Sequence, residues 1–255
     1  MSRDADSAGQ PWQGRHFEPN PNAADDGSAP EAFLDARRAF RRGDLSFSAL
    51  VDVIRGCRFL IPLVAVAGET GVTAEGHLVD KSQELSIITV AGPDSRAILP
   101  VFSSVSAMTR WRPDARPVPA DAVRVALAAA SEGTDRIVID PRSGGDEIVL
   151  PRPAVWAIAQ GEPWLPAVDD AEVLEAVARP AAQHPQIWAV TLVAGDAHAF
   201  GTGPEVIVRL AVEPGLDAEE LRSKLAKLKS AWSTDATIAH RIDSLSVQPV
   251  AAEQA

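Results

Sequence analysis

The 255-residue chain holds a single cysteine, Cys57. An internal disulfide is therefore excluded, and nothing points to an oxidising compartment. Cys57 follows Gly56 and precedes an apolar run, a position that reads as a buried, inert thiol. Long hydrophobic runs are also missing. The longest, 59–67, is nine residues, and Pro62 interrupts it; a membrane span needs about 20. The N-terminus, Met1-Ser2-Arg3-Asp4-Ala5-Asp6, lacks the basic flank and apolar stretch of a signal peptide. These absences lead to the expectation of a cytoplasmic protein with no membrane partner. Positive charge is short as well. A net charge of -11 argues against a general nucleic-acid or anionic-membrane surface, because both partners are negative.

Reactive constellations are missing too. Zinc needs three or four clustered nitrogen or sulfur ligands. His16, His77, His184, His198 and His240 share no ligand spacing. The Gly-x-Ser-x-Gly elbow of the common α/β hydrolases is absent. Ser103 follows a strand-like run and precedes a helix-like one, but Phe102 and Ser104 flank it, so helix capping is its expected role. Phosphate binding needs a Gly-rich turn from strand to helix. Ser143-Gly144-Gly145-Asp146 and Gly201-Thr202-Gly203 both lie between strand-like runs. The acid pairs Asp25-Asp26, Asp169-Asp170 and Glu219-Glu220 fall in a polar tail or in first helical turns. No catalytic residue, metal ligand or cofactor site is expected.

The hydrophobic content of 46% is that of a globular chain with a core. Residues 1–31 carry six acids, two arginines and few aliphatics, the composition of a disordered tail; Trp12 and Phe17 are its only bulky residues. Phe33, Ala36 and Phe40 then recur at helical spacing, closed by Gly43. A second helix carries Phe47, Leu50, Val51 and Ile54, capped by Asp44 or Ser46. Strands are expected at 59–66, with Pro62 marking an edge or bulge, and at 98–102. A hairpin is expected from 77–81 and 85–91. Ser103 or Ser104 begins a short helix with Val105, Met108 and Trp111. Pro119 opens a helix with Val123, Leu127 and Ala130 inward. Strands at 137–139 and 147–150 flank the 141–146 turn, and a helix follows at 153–159 with Trp156 inward. Pro163-Trp164-Leu165-Pro166 then breaks the pattern. Beyond it the order reads helix, strand, strand, helix, strand. The first of these helices starts at Asp169 or Asp170 with Val173, Leu174 and Val177 inward. The second starts at Asp217, with Leu221, Leu225, Leu228 and Trp232 as its stripe.

The expected fold class is α+β, with a tail at 1–31, an N-terminal domain with a mixed sheet at 32–162, a linker at 163–168, a smaller α-β-β-α-β domain at 169–250 and a short tail at 251–255. Two basic clusters are candidate contact sites. Arg37, Arg38, Arg41 and Arg42 share one broad helical face, joined by Arg55 and Arg58. That face could meet phosphates or an acidic protein, or could simply be solvated. Arg110, Arg112 and Arg116 surround Trp111, and arginine with tryptophan is the composition of interface hot spots.

Three stretches, in order, carry a family resemblance. Phe59-Leu60-Ile61-Pro62-Leu63, Pro100-Val101-Phe102-Ser103-Ser104 leading to Trp111, and Ile137-Val138-Ile139-Asp140-Pro141 resemble the N-terminal domain of the SseB, or enhanced serine sensitivity, family of bacteria. The 20 arginines against four lysines suit its actinobacterial type. The resemblance implies an α+β domain over about half the chain and brings no catalytic residues with it. It leaves three readings open. The first is a non-enzymatic interaction or regulatory protein with a protein partner. The second is a small-ligand sensor or enzyme linked to amino-acid metabolism, and the third is an RNA- or ribosome-associated factor using the Arg37–Arg42 face.

Overall fold

The computed structural model describes residues 25–66, 70–72, 78–80, 84–92 and 94–252. The expectations for most of the N-terminal tail, including Trp12 and Phe17, and for His16 and His77 lie outside the described residues. Asp25–Pro30 packs against the fold: Arg58 donates to the Asp25 carboxylate and to the Ser28 carbonyl, and Val105 N–H donates to Gly27 O.

Two helices open the fold. α1 (Glu31–Arg42) buries Phe33, Ala36 and Phe40 and stops at Gly43, whose φ of 80° suits a residue without Cβ. α2 (Phe47–Arg55) starts where the Ser46 hydroxyl accepts from Ala49 N–H and buries Leu50, Val51 and Ile54. The chain then enters β1 (Arg58–Val66), β2 (Thr70–Val72), β3 (Leu78–Asp80), β4 (Glu84–Ile87), β5 (Val90–Ala91) and β6 (Ala97–Val101). α3 (Val105–Trp111), β7 (Arg116–Asp121), α4 (Ala122–Ser131), β8 (Arg136–Ile139), β9 (Ile148–Leu150) and α5 (Arg152–Gln160) complete the N-terminal part.

One three-stranded sheet runs β4-β1-β7 and a four-stranded mixed sheet runs β5-β6-β8-β9, with β6 and β8 parallel. An antiparallel bridge between Leu60 and Phe102 joins the two. β1 is therefore central rather than an edge. Pro62 is tolerated because it faces Pro117 across β7, while β4 pairing begins only at Leu63. The hairpin expected between 77–81 and 85–91 does not form among the described residues. β3 pairs with β2, and β4 pairs with the longer β1. The segment around Pro117 and Pro119 is a strand, not a helix start, and Asp121 caps α4 instead. That shift turns the helix: Ala122, Val125, Ala126 and Ala129 are buried, and Leu127 faces out.

The C-terminal part contains α6 (Ala171–Ala181), β10 (Ile187–Ala194), β11 (Val206–Val212), α7 (Ala218–Ser233), α8 (Ala236–Arg241) and β12 (Leu245–Ala251). Its sheet runs β10-β11-β12, with the last pair parallel. α8 is additional to the expected order; Asp235 caps it by accepting from Thr237 and Ile238 N–H. Leu174 faces solvent, whereas Val173, Ala176 and Val177 pack inward. The architecture is α+β throughout.

The core divides into an N-terminal cluster around Phe33, Phe59, Leu99 and Ile139 and a C-terminal one around Val177, Val208, Leu210 and Trp232. A small third cluster gathers Leu60, Phe102, Met108 and Ala115 beneath Trp111. The stretch expected as a linker is packed: Trp164 belongs to the first core and Ala167 to the second. Ala199, from the loop after β10, reaches into the N-terminal core and accepts from Val149 N–H at 2.7 Å.

Candidate interaction site on the Trp111 face

Ser104 caps α3 by accepting from Ala107 N–H, so this hydroxyl rather than that of Ser103 starts the helix. Its turns place Met108 inward and Arg110 outward. Trp111 is half-buried, its ring tilted against Phe102 at a centroid distance of 5.2 Å. One wall of the site is thus a ring fixed by the core below it.

Opposite stands the turn after β8. Asp140 and Arg142 adopt left-handed backbone conformations, with φ of 51° and 60°, which residues with a Cβ adopt only when their surroundings hold them. The surroundings are visible. The buried Asp140 carboxylate accepts from Ser103 N–H at 2.8 Å, from the Ser103 hydroxyl at 2.7 Å and from Arg37 Nη1 at 3.1 Å. Further along, Glu147 accepts from Ser143 Oγ and Gly145 N–H, and Arg41 donates to the Gly145 and Glu147 carbonyls. The turn is clamped from beneath by two α1 arginines. Between it and α3 lies a cleft of about 290 Å³ lined by Ala107, Arg110, Trp111, Asp140, Arg142 and Ser143. Arg110 and Arg142 are both exposed, and among the described residues neither has a carboxylate at ion-pair distance.

Apart from Arg116, which is exposed on β7, the other basic candidates are engaged. Arg37 is held by Asp140 and Asp146. Arg41 lies over the Phe200 ring at 4.3 Å and also donates to His198 O, tying α1 to the loop after β10; burial lowers its pKa. Arg38 and Arg42 are exposed and pair with Asp35 and Asp44, and Arg112 pairs with Asp114. The helical face that looked like one basic surface is therefore split. Two of its arginines serve the fold, and two are locally neutralised. Arg142 escaped sequence reasoning because a turn residue has no periodicity; its place directly after Asp140-Pro141 was the available signal.

A second polar cluster lies between the two parts of the chain. The Asp243 carboxylate accepts from Arg96 Nη1 and Nη2 at 3.0 and 3.2 Å and from Arg136 Nε at 2.6 Å, while Asp94 accepts from Arg136 and Arg96. Asp243 N–H donates to Glu205 Oε2 at 2.5 Å. Arg152 donates to the Ala239 and Ile242 carbonyls at the end of α8. Burial pushes the Glu205 carboxyl up to about 7, and it pushes Asp243 up as well. A neighbouring cavity lined by Trp164, Glu205 and Ser244 holds only about 70 Å³, room on the order of a few waters.

Among the described residues the hydroxyl–carboxylate pair Ser103–Asp140 has no histidine partner. The His240 ring lies tilted against Trp156, and His198 lies beside Phe200. Among the described residues no group of three or more His, Cys, Asp or Glu could hold a metal ion. Cys57 is buried, and that burial raises its pKa. No helix among the described residues is long and apolar enough to cross a membrane.

No curated protein and no solved structure matches the chain. The family comparison does give a match, over residues 31–157, to the SseB protein N-terminal domain. That range runs from the first residue of α1 into α5 and takes in both walls of the Trp111 cleft together with the Asp140 network beneath it. The chain thus belongs to the SseB family through this N-terminal domain.

Proposed function

We propose that this protein is a non-enzymatic interaction or regulatory protein of the cytoplasm, and that it binds a protein partner through the cleft between α3 and the turn after β8. One observation carries the reading: two exposed arginines, Arg110 and Arg142, flank a half-buried tryptophan with no ion-pair partner among the described residues, in a chain of net charge -11. Arginine and tryptophan on a rigid support are the residues that dominate interface energies. The support is rigid here because Asp140, Arg37 and Arg41 hold the turn and Phe102 holds the ring. Ser103 and Asp140 are tied to each other and Cys57 is buried, which favours binding over catalysis at this cleft. The single buried cysteine is consistent with a reducing compartment.

The test is affinity capture from native lysate with the full chain as bait. A stoichiometric partner is expected. It should be lost from the Arg110→Glu/Arg142→Glu chain and kept by Arg222→Glu, a charge reversal on the exposed side of α7. Trp111→Ala is a poorer probe because its ring packs on Phe102. A partner retained by the double variant places binding elsewhere.

A further inference from the structure

The chemistry of the partner follows from the walls of the same cleft, and the argument rests on the reading just proposed. From the cleft's residues we infer that its occupant is an acidic peptide segment of another protein, with two carboxylates engaging Arg110 and Arg142 and an apolar side chain lying on Trp111.

Charge supplies the first argument. The cleft's own acid, Asp140, is turned inward and accepts three hydrogen bonds, one of them from Arg37. It therefore offers Arg110 and Arg142 no competing partner. Guanidinium groups bind carboxylates in a planar, two-point geometry, so two such groups favour a ligand with two acids. The second argument is the mixed lining. Ala107, Pro141 and the Trp111 ring are apolar, while Ser143 and the two arginines are polar. That combination suits a peptide with an apolar residue beside its acids better than a bare anion. Preorganisation is the third. Arg142 sits on a turn held at positive φ by the Asp140 network, so little backbone ordering remains to be done on binding.

Other occupants fit less well. A nucleic-acid backbone binds through something like 6–10 phosphate contacts; the cleft offers two arginines without a carboxylate partner among the described residues. The chain's own N-terminal stretch, 1–24, carries three acids against two arginines and offers almost no complementary charge.

The experiment is selection from a randomised peptide library on the immobilised full-length chain, with the Arg110→Glu/Arg142→Glu chain as parallel bait. Selected peptides are then measured by fluorescence anisotropy at low and moderate salt. Peptides with paired Asp or Glu beside an apolar residue are expected, and the double variant should bind them at least about tenfold more weakly. Their affinity should fall as salt rises. Three results would overturn the assignment: neutral or basic peptides, equal recovery on both baits, or displacement of the peptides by an RNA oligonucleotide. The two levels of the argument separate cleanly. A lysate partner lost in the double variant, together with acid-free selected peptides, removes the acidic chemistry and keeps the site. No dependence on Arg110 and Arg142 in either experiment removes both.

Discussion

Arg136 on β8 and Asp243 before β12 are 107 residues apart in the chain, yet Arg136 Nε lies 2.6 Å from Asp243 Oδ2. Both side chains are nearly out of solvent, at 9% and 3% exposure. The pair joins the sheet of the SseB domain to the C-terminal part. A buried ion pair of this kind need not stabilise relative to an apolar one, but breaking it leaves a charge without a partner. Asp243→Ala should therefore cost about 3–5 kcal/mol. Arg96→Ala should cost less, on the order of 1 kcal/mol, because the Arg96 side chain is 38% exposed. Urea unfolding of both variants measures the difference. Equal small losses would show that Asp243 is not the joint between the two parts.

Glu205 gives that joint a pH dependence. Burial raises its folded-state pKa to about 7, above the unfolded value of 4.5. The folded state thus holds a proton that the unfolded state has lost across this window. Stability should be greatest below about pH 4.5 for this group, decline as pH rises towards 7 and level off above it, a total of roughly 3 kcal/mol. The raised Asp243 carboxyl adds in the same direction, whereas the Arg152 charge opposes it. Glu205→Gln keeps an acceptor for Asp243 N–H and removes the titration. The unfolding free energy of Glu205→Gln minus that of the parent should be more positive at pH 8 than at pH 5. A pH-independent difference would refute the assignment.

Ser103 and Asp140 should separate by cost. Ser103→Ala removes one hydroxyl donor, and about 1 kcal/mol is expected. Asp140→Ala leaves Ser103 N–H and the Arg37 guanidinium without their buried acceptor, and about 3 kcal/mol or more is expected. Because Asp140 also holds the turn carrying Arg142, its loss should weaken partner binding, whereas Ser103→Ala should leave binding nearly intact. Thermal unfolding and peptide anisotropy on the two variants read both effects.

What could be read from sequence follows from how local each signal is. α1, α2 and α7 were legible because their buried residues recur at helical spacing and their ends carry Gly43, Ser46 and Asp217. The 116–131 stretch was misread because Pro117 and Pro119 suit a helix start as well as a strand. The choice was made by β1, more than 50 residues earlier, which supplies the pairing register. The Trp111 wall was legible as composition. Its opposite wall was not, because Arg142 gains its role only when Asp140 folds back onto Ser103 and Arg37. The Arg37–Arg42 surface failed for the converse reason: a helical face reveals which side chains point together, not that the partners of Arg37 and Arg41 come from residues 140–147 and 198–200.

Gly195 offers a last test, at the hairpin that delivers Glu205 to the joint. A Cβ added there would lie 2.3 Å from the Pro204 carbonyl oxygen, and that atom is backbone, which cannot rotate aside. Gly195 N–H also donates to Glu205 O at 3.0 Å, so forcing the strands apart moves Glu205 as well. Gly195→Ala should cost more than about 2 kcal/mol. Gly144→Ala, at positive φ but in open space, should cost about 1 kcal/mol. If Gly195 merely shaped the loop, the two would differ in stability alone. If it seats Glu205, Gly195→Ala should also flatten the fall in stability between pH 5 and pH 7, and Gly144→Ala should keep it.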